Sequence, residues 1–437
     1  MMTLPEPLLK AINRLSKRGY QTFLVGGCVR DMLLGREPQD YDLLTSASLE
    51  EIEAAFSQTV AVGAQHGSML VIVDGFRMDI STMSTSQTKM LAVNSSSLKN
   101  DLARRDFSIN AMAMDLSGII CDPWDGQRDL QDKILRATRN VPQEIFAEDP
   151  LRMMRAIRFF AVYGFTIEPH TYAAIMECHD LLAQVAGERI REELNGILRS
   201  ERPAQGIRML QECGLIPYII PELAPMVGLD QRNFRHNRDL FEHSLAVLEG
   251  VPARLNVRLA ALLHDIGKPS CFTVDERGIG HFYGHHLEGI GISQKILKRL
   301  KYDQQTINDV SMLIGAHMSR YAGLRDASLK KLIKQVGQDN LPDLFALQKA
   351  DIIGSAPPYD FTELDKMERD TRKILGEGVP LDLKDLAVNG TDLITLGYTP
   401  GTFLGAVLNE LLELVLADPA KNQPAILLEI ARQHLNI

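Results

Sequence analysis

Apolar residues divide this chain into a front part that alternates strand-like and helix-like segments and a longer remainder that reads as helix. Leu8, Leu9, Ile12 and Leu15 have helical spacing and predict a surface helix. Thr22 to Val25 is a short β-rich run, broken by Gly26-Gly27. Val29 to Leu34 is a brief helical pattern stopped by Gly35, and Asp40-Tyr41-Asp42 starts the next strand. A helix over Ser48 to Phe56 and a strand over His66 to Val73 follow, and Asp74-Gly75 makes a tight hairpin turn. On the returning strand Phe76, Met78 and Ile80 share one face, while Arg77, Asp79 and Ser81 share the other. Ser84 to Lys99 is polar and aperiodic and reads as a loop. From about Gln127 strand-like runs become rare, and from Leu324 the pattern is helical with short breaks. The expectation is an α+β protein with a small mixed sheet in front of all-α segments.

Composition narrows this only a little. A length of 437 residues suits two to four domains. No apolar run approaches the roughly 18–20 residues of a membrane span. The first helix carries Glu6 and lacks a signal-peptide core, so a cytoplasmic protein is expected. Five scattered cysteines form no zinc or disulfide pattern. A net charge of −9 argues against a globally basic nucleic-acid binder, though not against a local basic groove.

The chemistry concentrates first in TFLVGGCVRDMLLGREPQDYDLLT, residues 22–45. Residues two apart on a strand share a face, so Asp40 and Asp42 point one way and Tyr41 the other. Adjacent carboxylates repel unless a cation lies between them, and hard oxygen ligands suit Mg²⁺. A glycine turn that opens a helix offers N–H groups to phosphate. A Gly-Gly pair alone is usually a turn, and an Asp-x-Asp alone a solvated strand end. Together in one strand–helix–strand unit they point to nucleotidyl transfer from a nucleoside triphosphate. Asp79, on the polar face of its strand, is the candidate third carboxylate.

LVGGCVRDMLLGREPQDYDLL resembles the signature of the class II tRNA nucleotidyltransferase and bacterial poly(A) polymerase family, in the polymerase-β-like superfamily. That resemblance implies Gly26, Gly27 and Arg30 around the triphosphate and two Mg²⁺ on Asp40 and Asp42. The family has Glu where Asp79 stands. The run from Asp101 to Ala111 resembles the family's second motif, which implies phosphate contacts for Arg104 and Arg105 and hydroxyl recognition for Asp106 and Asn110. Its plain reading is a charged helix start capped by Asp101. Asp122 to Gly126 resembles the turn after the last strand. Ala147 to Phe159 carries a Glu-Asp-x-x-Arg motif. There Asp149 and Arg152 would read the base edge of CTP or ATP, with Arg155 on the same helix; Asp149 also suits a helix cap ahead of Pro150. Glu188 to Leu194 resembles a supporting neck helix. Gly390-Thr391-Asp392-Leu393 and the run Gly397 to Gly401 resemble the segment that meets the tRNA backbone.

A second cluster spreads over the helical part. His243, the pair His264-Asp265, His281, His285, His286, His317 and Asp351 are imidazoles and carboxylates suited to a transition metal, and Gly267 is expected to end the helix presenting the His-Asp pair. The order resembles the HD phosphohydrolase domain. His243, His264, Asp265 and Asp351 would hold the core metal, with His285 and His317 as the extra ligands of a two-metal site. The implied division is a head over 1–126, a neck over 127–222, an HD domain over 223–355 and a tRNA-binding tail over 356–437. The expected activity is template-independent addition of CC or CCA to the tRNA 3′ end, with a phosphohydrolase activity beside it. Rival readings are a poly(A) polymerase, a phosphohydrolase whose head only binds RNA, and a non-catalytic RNA-binding module, which the acidic, aromatic-poor composition disfavours. Met83-Ser84 stands where full CCA-adding enzymes have Phe-Arg, and Thr85 to Asn100 is short and lacks arginine. That resembles the CC-adding branch.

Overall fold

The strand runs of the front part lie side by side in one sheet. The computed structural model describes residues 4–63, 67–83, 95–233, 237–322, 326–377 and 380–435. The strands are β1 (Thr22–Val25), β2 (Asp42–Thr45), β3 (Thr59–Gly63), β4 (Ser68–Val73), β5 (Phe76–Thr82), β6 (Ala113–Met114) and β7 (Ile120–Cys121), in the order β3-β4-β5-β2-β1-β6-β7. Within this sheet, among the described residues, only β2 and β5 pair in parallel, and a separate parallel pair joins β8 (Ile134–Leu135) to β9 (Thr166–Ile167); the register sets Asp42 beside Asp79, and the antiparallel β1 sets Val25 opposite Asp42. Asp74 and Gly75 both have positive φ (51° and 80°), the backbone of a two-residue hairpin turn between β4 and β5.

The helices of this part are α1 (Glu6–Ser16), α2 (Gly27–Leu33), α3 (Leu49–Ala55), α4 (Ser95–Ala103), α5 (Gly126–Asp132), α6 (Pro142–Glu148), α7 (Leu151–Tyr163), α8 (Pro169–Cys178) and α9 (Gly187–Leu198). α1 buries the predicted stripe, Leu8, Ile12 and Leu15 with Ala11, against β1, β4 and β5. α3 starts at a Ser48–Glu51 capping box. Leu98 and Leu102 of α4 pack with Val25, Leu44, Met83, Ala111 and Ala113, on the sheet face that carries Asp42 and Asp79.

Three expectations change here. Strand β2 begins at Asp42, so Asp40 sits in the bend before it. The second motif does not start a helix; Asp101 lies near the end of α4, whose Leu98 and Leu102 supply the apolar stripe. The segment read as a loop to Lys99 is therefore helical from Ser95, and the rest of it, 84–94, lies outside the described residues, as does His66.

The chain forms two compact units, residues 1–193 with 209–218, and 194–208 with 219–437. The four-part division expected from sequence is finer than these units. The second unit is almost entirely helical: α10 (Pro203–Glu212), α11 (Ile216–Ile219), α12 (Leu240–Gly250), α13 (Leu255–Leu263), α14 (Lys268–Cys271), α15 (His285–Arg299), α16 (Gln304–Ala316), α17 (Asp326–Val336), α18 (Leu341–Gly354), α19 (Thr362–Gly376), α20 (Gly390–Thr395), α21 (Thr402–Ala417) and α22 (Pro424–His434), though parts of α10 and α11 belong to the first unit. α12 packs on α13 and α18, and α16 on α13 and α15. Gly390 to Thr395 opens on a capping box of Asn389 and Asp392, and Gly401 precedes α21. Among the described residues no helix is long and apolar enough to cross a membrane.

Candidate active site

Gly26 turns the chain from β1 into α2 with φ +76°, which favours glycine, and a Cβ there would collide with the Arg105 guanidinium. Arg105 therefore lies against the glycine turn, where its charge acts on Asp42. Burial lifts the Asp42 carboxyl, Arg105 pulls it back down, and Asp79 and Asp40 lift it further; the net direction is up. Asp79 is raised by burial and by Asp40. Asp40, Asp42 and Asp79 offer only carboxylate oxygens, a donor type that fits a hard divalent cation such as Mg²⁺.

Beside them is an open cleft of about 350 Å³ lined by Gly27, Arg30, Asp42, Arg104, Arg105, Asp106, Asn110, Arg152, Arg155, Arg158 and Phe159. Six arginines against two aspartates give this lining a formal charge of +4 in a chain of net charge −9, the local basic groove that the total charge allowed. A hydrogen-bonded chain holds the guanidinium groups. Arg30 Nη1 donates to Asn110 Oδ1 (2.7 Å), and Asn110 Nδ2 to Asp106 Oδ1 (2.9 Å). Phe107 N donates to the same oxygen (2.8 Å) and Arg155 Nη1 to Asp106 Oδ2 (3.0 Å). Arg155 Nε and Arg158 Nε both donate to Glu193 of α9, at 3.4 and 2.6 Å. Arg30 also lies over the rings of Phe159 and Tyr163, 5.1 and 5.0 Å from their centroids. Burial alone would raise Asp106, but Arg155, Asn110 and Phe107 N hold it below the ordinary carboxylate range. Both its oxygens are engaged, so Asp106 acts through Asn110 and Arg155.

The base-reading candidates lie at the start of α7. Asp149 is the residue after α6, and Pro150 takes the N-cap position foreseen for Asp149. Asp149 Oδ1 accepts from Leu151 N (3.3 Å) and Oδ2 from Arg189 Nη2 (2.9 Å). Arg152 Nη2 donates to the carbonyl of Arg104, just beyond α4, at 2.8 Å. The sequence singled out neither Arg158 nor Phe159 as site residues, and gave Arg189 and Glu193 only a scaffold role. The recurrence of Arg152, Arg155 and Arg158 every three residues, one helix face, was the available signal.

In the second unit six buried side chains converge: His243, His264, Asp265, His285, His317 and Asp351. The Nδ1 of His243, His264, His285 and His317 faces the carbonyls of Gly354 (3.2 Å), Ala261 (2.8 Å), Phe282 (2.8 Å) and Ile314 (2.6 Å). A carbonyl only accepts, so each Nδ1 carries the proton and each Nε2 turns a lone pair inward, the orientation of a metal-binding histidine. His264 Nε2 and Asp265 Oδ2 are buried 3.1 Å apart without forming a hydrogen bond. His285 Nε2 faces His317 Nε2 at 3.3 Å, an arrangement that a cation between them relieves. Asp265 Oδ1 lies 3.3 Å from His285, while Asp351 Oδ1 lies 3.1 Å from His243. This donor set fits a transition metal. Burial pushes His317 down to about 3, with His264 adding to the effect. Burial also works against a charged His264, yet Asp265 overrides it and raises that imidazole, so Nε2 takes up a proton more readily than in an ordinary histidine, and a metal at that atom would displace the proton.

Lys268 Nζ lies 2.7 Å from Asp265 Oδ2 and Arg320 Nη2 2.6 Å from Asp351 Oδ2; the sequence singled out neither cation. Gly267 does not end the His-Asp helix as expected. α13 stops at Leu263, and Gly267 has negative φ; a Cβ there would strike the His285 carbonyl, so glycine is needed for the close approach of α15. His281 and His286 lie outside the converging set. His281 pairs with Asp275 (3.0 Å), and the half-buried His286 stands edge-on to His285.

The poly A polymerase head domain matches residues 22–136, the probable RNA and SrmB-binding site of polymerase A residues 164–227, and tRNA nucleotidyltransferase domain 2 residues 290–431. The A-adding tRNA nucleotidyltransferase of Deinococcus radiodurans is 34% identical over 412 residues, covering 89% of this chain and 90% of that protein. The CCA-adding enzyme of Levilactobacillus brevis is 32% identical over 434 residues, 96% of this chain and 95% of its own. The crystal structure of the Bacillus stearothermophilus CCA-adding enzyme in complex with CTP superposes with a TM-score of 0.72 at 28% identity and full coverage of both chains (100% and 100%).

Proposed function

Because the chain belongs to the tRNA nucleotidyltransferase family that includes A-adding and CCA-adding enzymes, we propose that it extends the 3′ end of tRNA with nucleotides from CTP or ATP. The observation that carries this reading is the register of Asp42 beside Asp79 at the edge of an arginine-lined cleft. Asp40, Asp42 and Asp79 would hold Mg²⁺, which supplies Lewis-acid polarisation to a phosphoryl-transfer site. Gly26, Gly27, Arg30, Arg104 and Arg105 bind the triphosphate, with N–H groups and guanidinium forks matched to phosphate oxygens. Asn110 meets the sugar, positioned by Asp106, and Asp149 and Arg152 read the base, steadied by Arg189 and by the Arg104 carbonyl. The 3′-hydroxyl oxygen of tRNA gives up its proton to solvent and bonds to the α-phosphorus, the bond to the bridging oxygen breaks, and pyrophosphate departs with the electron pair.

For the product we keep the CC-adding reading. Met83 occupies the first place of the Phe-Arg pair, and it is buried under α4, which supports a segment anchored to the core. A second reading, addition of the terminal adenosine alone, is favoured by the similarity to the A-adding Deinococcus protein. Three tRNAs, ending at the discriminator base, after one C and after CC, are supplied with CTP and ATP together. Extension of the first two that stops at CC supports the first reading. Extension of the CC-ended tRNA alone establishes the second. Completion of all three to CCA overturns both, and a long adenosine tail would make the protein a poly(A) polymerase.

We infer a second activity at the His243–Asp351 cluster: metal-dependent hydrolysis of a phosphoester. The four inward Nε2 atoms around two buried carboxylates support it. A bound transition metal supplies an activated water at neutral pH. Absence of transition metal from the purified protein after metal supplementation overturns it.

A further inference from the structure

Beside the His/Asp cluster, a two-stranded hairpin carries an exposed aromatic side chain that no contact in the cluster requires. Its strands are β10 (Thr273–Val274) and β11 (Gly280–His281). Tyr283, just past β11, is 79% exposed. Its ring stacks on His281, with centroids 5.3 Å apart and planes within 8°. Both imidazole nitrogens are used in holding that stack. His281 Nε2 meets Asp275 Oδ2 at 3.0 Å, and His281 Nδ1 meets the Tyr283 hydroxyl at 3.3 Å. Asp275 is itself fixed by the turn, since its Oδ1 accepts from Arg277 N and Ile279 N, both at 2.9 Å. An exposed tyrosine on a flexible loop would gain nothing from such a support. Here one ring face is fastened to the protein and the ring is presented to solvent.

The hairpin is tied to the His/Asp cluster at two points, both through Phe282. Phe282 stacks on Phe272 (5.2 Å, 22°), and Lys268 Nζ lies 5.1 Å from the Phe282 centroid while contacting Asp265. The Phe282 carbonyl accepts from His285 Nδ1 (2.8 Å). Lys268 also donates to Gln231 Oε1 (2.9 Å), and a Cβ on Gly280 would collide with the Gln231 carbonyl, so the hairpin seats closely on that segment. Tyr283 thus directly follows the residue whose carbonyl orients one candidate metal ligand and whose ring touches the lysine of another.

We propose that Tyr283, braced by His281, is a stacking platform for a nucleobase, so the phosphoester taken by the His/Asp site is a nucleotide. This rests on the phosphohydrolase reading of that site. Every base has a π-face, so one aromatic platform accepts any base, and Tyr283 stands two residues before the candidate ligand His285. In the hydrolysis water oxygen bonds to phosphorus, the ester P–O bond breaks, and the leaving alcohol oxygen takes the proton that the water gives up.

The test uses the full chain loaded with Mn²⁺, as wild type, Tyr283→Phe and Tyr283→Ala. Calorimetry measures the Kd for AMP and for ribose 5-phosphate, which carries the phosphate without the base. Nucleotide binding by the head is common to all three proteins and is fitted as a separate site with shared parameters. Wild type and Tyr283→Phe should bind AMP alike, and Tyr283→Ala should weaken it about 5- to 150-fold, the range for one base stacked on an aromatic ring. Ribose 5-phosphate should bind all three equally. An AMP affinity unchanged in Tyr283→Ala overturns the platform, and so does an equal loss for both ligands. Metal analysis of the same wild-type sample separates the two failures: without bound metal the phosphohydrolase reading falls, whereas with metal present the same binding result counts against Tyr283 alone.

Discussion

Asp106→Ala should destabilise the first unit and damage nucleotide binding together. Asp106 is 5% exposed and accepts from Phe107 N, Asn110 Nδ2 and Arg155 Nη1. Removing one partner of a buried ion pair costs about 3–5 kcal/mol. The Arg155 side chain is 32% exposed and keeps Glu193, so about 3 kcal/mol is the appropriate end of that range. The Phe107 N–H, left without its acceptor, adds about 1 kcal/mol. A total near 4 kcal/mol lowers the melting temperature of a unit of this size by roughly 8–16 °C. Asp106→Asn keeps an acceptor for Phe107 N and should lose less. The same change frees Asn110, to which Arg30 donates, so the KM for CTP should rise in both variants. Calorimetric melting and CTP incorporation into trimmed tRNA measure the two effects. Because the folded-state pKa of Asp106 is depressed, its stabilisation is complete above the unfolded value of about 3.9 and is lost as pH falls through the lower folded value. The gap between wild type and Asp106→Ala should therefore be constant from pH 5 to 7 and close only in strong acid. An Asp106→Ala protein that melts within about 2 °C of wild type refutes the reasoning, since that equals less than roughly 1 kcal/mol.

Asp40→Ala and Asp42→Ala should each abolish nucleotide addition with the fold retained by circular dichroism; near-normal incorporation in either would remove the carboxylate assignment. Arg189→Gln should leave folding unchanged but release Asp149 Oδ2, and the expected sign is a lower preference between CTP and ATP, measured as a ratio of kcat/KM values. An unaltered ratio would show that the contact is only structural. His264→Ala should reduce bound transition metal and any phosphoesterase activity while CTP incorporation continues, and retained metal content would place the ligands elsewhere.

The local patterns were strong enough to determine much of this protein from sequence. Gly26-Gly27 between an apolar run and a helical one is a turn in any context, because only glycine takes the +76° φ at Gly26 cheaply. Alternation on β5 placed Asp79 on the polar face, and the stripe of α1 followed from residues three and four apart. The ordered set His243, His264-Asp265, His285, His317 and Asp351 was visible because imidazoles and carboxylates suit a transition metal and their order resembles the HD domain; their joint burial came only with the structure. Three things were left to tertiary structure. Period-two alternation says which face a residue takes but not which strands are neighbours, so only the parallel β2–β5 pairing brought Asp42 and Asp79 side by side. Helix ends shift by a few residues at little cost, which is why α4 starts at Ser95 and α13 stops before His264. Buried cations have no sequence signature. Lys268 on Asp265 and Arg320 on Asp351 acquire their meaning only when packing brings a carboxylate within about 3 Å. Desolvation then makes each pairing obligatory, because a lone charge in those positions would lack the water that stabilises it in the unfolded chain.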